Sequence, residues 1–315
     1  MRLEHKVVFV HKGAIGDFLQ TWPCLLALTR ELGNREFFWA GKEAYTLWTS
    51  PLGIEDAPRM RRAVDRLYGA GSLPRELSDC QVIWFGLRTP PTDSEIPGLW
   101  FVPMLDQEGG APPRRVCRAN LRARGLALDQ DWQGAWLEHF PPPPDAVRRR
   151  DRVLILPGGG HPAKCWPLEN YLRIAKWLRG LGYTVVFLLG PAEIERGVAI
   201  RGFETVAPQD LGQLQDWIQS SGLVLGNDSG PLHLTGFCRV PGLALFGPSP
   251  AEQWGPPGIA TLSGSAPCRP CTRMGVIHCR DPVCLTSISP ERVAEELLKL
   301  LPAMKKPGAR AAESP

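Results

Sequence analysis

Short apolar runs recur along the chain, each stopped by glycine or proline and followed by a segment with a single apolar stripe. KVVFVH (6–11) predicts a first β-strand, KGAIGD a glycine loop, and the leucine-rich stretch ending near Gly33 a helix. Pro23 is expected near that helix's start, where a missing N–H is tolerated, with Thr21 as its cap. Further strands are expected at 35–41 (REFFWAG), 81–86 (QVIWFG) and 98–105 (GLWFVPML), with a helix around 112–124.

The second half alternates more regularly. RVLILP (152–157), TVVFLLG (184–190), FETVAP, LVLGN and GLALFGP (242–248) read as strands. Between them lie helical patterns: Leu168, Tyr171, Leu172, Ala175 and Leu178 form one stripe, and 191–201, 211–222, 230–238 and 291–301 follow. Strands alternating with helices of this length imply parallel sheets covered on both faces.

HFPPPPDAVRRRD (139–151) interrupts the alternation, because four consecutive prolines fit neither a helix interior nor a central strand. The expected organisation is an N-terminal Rossmann-like domain over 1–140, a linker over 141–151 and a second such domain over 152–301. The tail, 302–315, is expected to be disordered. The fold class is thus α/β, two doubly wound domains facing a cleft at the carboxyl ends of their strands.

Composition narrows the function. With 315 residues, 43% hydrophobic and 22% charged, the chain suits two cores, and no window approaches 18 uninterrupted apolar residues. The N-terminal apolar run reads as a strand and not a secretory signal, which points to the cytoplasm. Net charge is +4, with basic residues scattered apart from Arg148–Arg150, so nucleic acid is not an expected partner. An anionic substrate or a membrane surface suits this charge equally. Nine cysteines without an export signal are expected to be reduced.

Three strand-end loops carry candidate chemistry. In His11–Asp17, Gly13 and Gly16 permit close backbone approach and Asp17 offers a carboxylate, which could equally cap the following helix. The spacing is not the G-x-G-x-x-G dinucleotide fingerprint, which disfavours a dehydrogenase. In Pro157–Lys164, three glycines including Gly159 and Gly160 form a backbone nest, and Lys164 can neutralise a phosphate. In Gly226–Pro231, Ser229 and the N–H groups of Ser229 and Gly230 lie at a helix N-terminus, which favours an anion. Capping by Asp228 or Ser229 is the bland alternative, and His161 alone suggests only solvation. A nucleotide diphosphate would fit between the last two loops.

Cys268, Cys271, Cys279 and Cys284 crowd into the C-terminal part. They are open to three readings: reduced thiols, a disulfide, or a structural zinc site with His278 as a substitute ligand. No Asp-x-Asp sequence falls on a plausible metal-binding loop, so no cofactor is expected for the chemistry.

Taken together, Gly16-Asp17-Phe18-Leu19 with Pro23, PGGGHPAKCWPLENY (157–171), GNDSGPLHL (226–234), LFGPSPAEQWGP (245–256) and Cys284-Leu285 resemble ADP-heptose:lipopolysaccharide heptosyltransferases, glycosyltransferase family 9. The resemblance implies a GT-B fold and inverting transfer of heptose from ADP-heptose to the inner core of lipopolysaccharide. The acceptor would be a lipid-linked saccharide at the inner face of the cytoplasmic membrane. It implies Asp17 as general base, Lys164 on the donor phosphate, Asp228, Ser229 and Gly230 around the diphosphate, and Glu193, or neighbouring Glu195, on the ribose. Gly159 and Gly160 replace hydroxyl residues of some members, and DSGPLH replaces a threonine-containing turn, so another sugar, nucleotide or acceptor stays open. An epimerase has no supporting residues here, and a non-catalytic nucleotide-sugar-binding protein is the remaining alternative.

Overall fold

β1 (Lys6–His11) forms the centre of a five-stranded, wholly parallel sheet with β2 (Glu36–Trp39), β3 (Ile54–Asp56), β4 (Cys80–Gly86) and β5 (Leu99–Pro103). The strand order is β3-β2-β1-β4-β5. A second parallel sheet, of six strands, has the order β11-β10-β9-β6-β7-β8. Its strands are β6 (Arg149–Leu156), β7 (Thr184–Leu188), β8 (Glu204–Val206), β9 (Ser221–Asn227), β10 (Gly242–Phe246) and β11 (Ala260–Ser263). The computed structural model describes residues 4–87, 92, 95–106, 110–126, 131–271, 277, 279 and 281–301. The expected tail after residue 301 and His278 lie outside these.

The chain divides into the units Met1–Ala135 and Trp136–Pro315. The division falls inside a helix, Trp132–His139, that the apolar pattern did not announce. Trp136 belongs to the second unit because its ring packs against Phe140 and Phe237, with centroids 4.5 Å and 4.9 Å away. Gln219 Nε2 also donates to the Phe140 carbonyl at 2.9 Å.

Both sheets are buried on both faces, which is why their strands read as continuous apolar runs. On one face of the second sheet Val153, Ile155, Leu223, Leu225, Leu243 and Leu245 pack with Trp166, Tyr171, Ile174, Val293 and Leu297. The alternate residues Leu154, Val224 and Ala244 are fully buried as well. In the first sheet Val8, Val10, Val82 and Trp84 pack with Ala63, Val64 and Leu67.

The first helix departs from expectation. It runs Ile15–Glu31, so Pro23 lies inside it and Thr21 is buried mid-helix. Asp17 is the reason the helix starts early: its Oδ2 accepts from Ala14 N at 3.3 Å while Phe18 N donates to Ala14 O at 3.0 Å. Thr21 Oγ1 donates back to Asp17 O at 3.1 Å instead of capping. Pro23 removes the bond to the carbonyl four residues earlier, and the neighbouring packing of Leu19, Trp22 and Leu26 holds the helix through it. The helix expected at 191–201 ends sooner, at Pro191–Glu195, and Gly197 turns out of it at φ 68°. β3 and β11, edge strands of three and four residues, were too short to show a period.

In each sheet the first strand is flanked by the second and the fourth, so the chain direction of travel reverses beside it. The loops after β6 and β9 therefore leave adjacent strands at a topological switch point, the position where open α/β sheets bind ligands.

Candidate functional site

The second unit brings the glycine loop after β6 and the turn after β9 together through one side chain. Asn227, wholly buried at the end of β9, uses its amide in both directions. Nδ2 donates to Pro157 O at 2.7 Å and Gly158 O at 3.0 Å. Oδ1 accepts from Trp166 N at 2.9 Å and from Tyr171 Oη at 2.8 Å. The Trp166 indole in turn donates to Ile288 O at 2.9 Å.

This arrangement sets Lys164 beside Asp228. Their Nζ–Oδ2 distance is 2.7 Å, with the lysine side chain 23% and the aspartate side chain 8% exposed. An ammonium has three donors, so Lys164 can keep Asp228 and still bind a phosphate oxygen. Ser229 follows as the N-cap residue of helix Gly230–Phe237, extended at φ −151° and ψ 160° and without a side-chain cap bond. Neither Asp228 nor Ser229 thus caps this helix through its side chain. The N–H groups of a first helical turn have no intrahelical acceptor and carry the positive end of the dipole. Gly226 allows this helix to pack closely, since a Cβ there would meet Leu156 O at 3.0 Å and the Leu232 side chain at 2.7 Å.

Glu193 adds a third element. Its Oε2 accepts from Gly190 N at 3.1 Å, and Arg196 stands 3.9 Å from Oε1. A Cβ on Gly158 would lie 2.2 Å from the Glu193 carboxyl carbon, so the carboxylate rests directly on the loop backbone. Glu195 is exposed. Gly159 has Cys165 Sγ 3.2 Å from its Cβ position, whereas Gly160 faces open space. His161 is more than a solvated loop residue: its Nδ1 accepts from Ala163 N at 3.1 Å and caps the short turn that presents Lys164.

In the first unit, Asp17, Gly13 and Gly16 cluster at the end of β1. A Cβ on Gly13 would lie 2.8 Å from the His11 ring and 3.1 Å from Asp17 Oδ2. Tyr45 Oη donates to Gly13 O at 3.0 Å, and its ring stacks on Phe18 at 4.2 Å. Burial first, and the Asp17 charge second, raise the Tyr45 phenol well above its ordinary value, so it remains a neutral donor. Burial, helped by the Lys42 charge, depresses His11 to about 3.

Sequence reasoning singled out Ser229 but missed Asn227, His11, Ser249 and Gln253. Ser229 Oγ, Ser249 Oγ and both amide atoms of Gln253 are buried and make no hydrogen bond among the described residues. Such groups cost about 1–3 kcal/mol each when left unmade, which marks them as available to a ligand. All nine cysteines of the chain are free thiols, and in the C-terminal cluster of four Cys268 and Cys271 approach to 3.8 Å. Arg269 ties this segment to Gly264 O at 2.6 Å and Ser249 O at 3.1 Å. Among the described residues no group of three or more His, Cys, Asp or Glu side chains is arranged to hold a metal ion.

Residues 121–277 match the model of glycosyltransferase family 9 (heptosyltransferase). A stretch covering 36% of the chain is 30% identical to lipopolysaccharide heptosyltransferase 3 of Escherichia coli (strain K12), over 36% of that protein. The chain aligns with less than half the length of the curated relatives it matches. Two solved structures share the fold across nearly the whole chain. E. coli ADP-heptose lps heptosyltransferase II superposes with a TM-score of 0.64 at 18% identity, covering 94% of this chain and 98% of its own. E. coli heptosyltransferase WaaC with ADP-2-deoxy-2-fluoro heptose gives 0.63 at 16% identity, covering 93% and 99%. The architecture is that of the GT-B glycosyltransferases, two parallel-sheet α/β domains. The match places residues 121–277 in glycosyltransferase family 9.

Two outcomes are expected from this geometry. Asn227→Ala leaves two carbonyls, one N–H and one hydroxyl unpaired and should lower unfolding free energy by about 3–5 kcal/mol in urea melts. The depressed His11 makes stability pH-dependent: between its folded value of about 3 and its ordinary value near 6.5, only the unfolded chain takes up the proton. Stability from this group is therefore complete above about pH 6.5 and falls as pH drops toward 3. Denaturant melts of the wild type and His11→Asn across that window should show a shallower slope in the variant.

Proposed function

We propose that the protein is an inverting glycosyltransferase that moves heptose from ADP-heptose to the inner core of lipopolysaccharide. The observation that carries this reading is the Lys164–Asp228 pair at the start of helix Gly230–Phe237, on the loops that Asn227 joins. That constellation suits a diphosphate: one ammonium, two backbone N–H groups and a helix dipole converge without a second cation being needed. The family match, and a neighbour of the same fold solved with an ADP-sugar, support the nucleotide-sugar assignment.

In the proposed reaction an acceptor hydroxyl attacks the anomeric carbon from the face opposite the diphosphate. The bond from that carbon to the phosphate oxygen breaks, and ADP leaves with both electrons of that bond. Asp17 takes the hydroxyl proton as general base. Lys164 and the N–H groups of Ser229 and Gly230 hold the charge developing on the leaving group, while Glu193 accepts hydrogen bonds from the ribose hydroxyls. Gly159 and Gly160 let the backbone approach the phosphates. Among the described residues no helix is long and apolar enough to cross a membrane. The acceptor, a lipid-linked saccharide in this reading, would be met at the membrane surface by a peripheral enzyme.

The roles separate in experiment. Lys164→Ala should weaken ADP binding about tenfold or more in calorimetry, a loss of at least about 1.4 kcal/mol. Asp17→Asn should keep ADP affinity within a few-fold and lower kcat with ADP-heptose by about 10²–10⁴. Unchanged ADP binding in the first variant, or wild-type turnover in the second, would remove that residue from its role. Tighter binding of uridine or guanosine diphosphate than of ADP would reassign the donor.

A further inference from the structure

The first unit contains a cavity of about 210 Å³ that none of these roles uses. It lies between helix Ile15–Glu31 and helix Pro113–Arg122, with Trp132 at one side. Its two walls differ in chemistry. Pro23 and Ala27, two to three turns beyond Asp17, supply an apolar wall, and Arg114, Arg115 and Arg118 supply a cationic one.

Two arginines of the cationic wall, Arg114 and Arg115, have no carboxylate partner among the described residues. Half-buried Arg114 donates to Gln20 Oε1 at 3.3 Å, a neutral acceptor. Neither Arg114 nor exposed Arg115 forms an ion pair among the described residues. By contrast, half-buried Arg61 is paired with Asp56 and with Glu43. Burial first, and the Arg115 charge second, lower the Arg114 pKa from its ordinary value. A half-buried guanidinium next to a second one, with no carboxylate at either, is favoured by an anion that joins them.

We infer that this cavity binds an organophosphate, its phosphate held by Arg114 and Arg115 and its organic part lying against Pro23, Ala27 and Trp132. The guanidinium fork matches phosphate oxygens in pairs, which a lysine would not do. The space of about 210 Å³ is more than a lone phosphate fills, and the apolar wall accounts for the remainder. The phosphate can come from a soluble metabolite or from a phospholipid headgroup; the recognition chemistry is the same for both. The site is independent of the sugar-transfer reading, since it shares no residue with the proposed donor loops.

The test uses the whole chain with ADP present in excess, so that the donor loops are occupied. Glycerol 3-phosphate and inorganic phosphate are titrated by calorimetry, and phosphatidylglycerol vesicles are compared with phosphatidylcholine vesicles by co-sedimentation. At least one phosphate probe should bind saturably, and Arg114→Gln combined with Arg115→Gln should weaken it tenfold or more. The same double variant should keep its melting temperature and its ADP affinity. Saturable glycerol 3-phosphate binding assigns a soluble ligand, and arginine-dependent binding to phosphatidylglycerol vesicles alone assigns a headgroup. Absence of binding by every probe, or binding that the double variant leaves unchanged, would overturn the site. ADP affinity, measured separately, reports on the donor reading alone.

Discussion

The buried amide of Asn227 is the constraint on which the second unit's site depends. A doubly wound sheet brings the loops after its first and fourth strands side by side, but adjacency does not fix their spacing. Asn227 fixes it with two donated and two accepted hydrogen bonds, to Pro157 O, Gly158 O, Trp166 N and Tyr171 Oη. Every polar atom of this amide is satisfied, the condition under which a buried polar network rigidifies a core instead of weakening it. Trp166 extends the linkage to Ile288, so the helix covering the sheet and the segment before the last helix answer to the same side chain. Lys164, two residues before Trp166, and Asp228, one residue after Asn227, are held at 2.7 Å as a consequence.

The first unit places its carboxylate by a different device. Asp17 faces back along its own helix to Ala14 N, and the loop beneath it is held by the Tyr45 hydroxyl and lies against His11, a histidine kept neutral through burial. A capping role and a proposed proton-accepting role coincide at this residue. Capping by N3 holds the carboxylate in one orientation at the strand end, and orientation is what a general base requires before its pKa matters. In both units a helix begins at the strand's carboxyl end, and glycine lets neighbouring groups come closer than any Cβ would permit.

Much of this was readable from the chain alone because burial on both sheet faces writes itself as uninterrupted apolar runs. The glycine loops followed because strand, loop and helix alternate around them. What was not readable depends on contacts distant in sequence. Asn227 looked like one more small polar residue in a turn, since its partners lie 56 to 70 positions away. Thr21 and Pro23 suggested a helix start by local chemistry, and the helix instead begins at Ile15, where the Asp17 side chain closes its first turn. Gln253 carried no visible signal, because a buried amide without partners has meaning only once its surroundings are known. The edge strands β3 and β11 were too short for any periodicity to show.

Where a nucleotide settles decides the role of the loops that Asn227 joins. A crystal structure of the chain grown with ADP would test it. The diphosphate is expected between Lys164 Nζ and the N–H groups of Ser229 and Gly230, with the ribose hydroxyls on Glu193. A diphosphate bound away from the loops that Asn227 joins would contradict it.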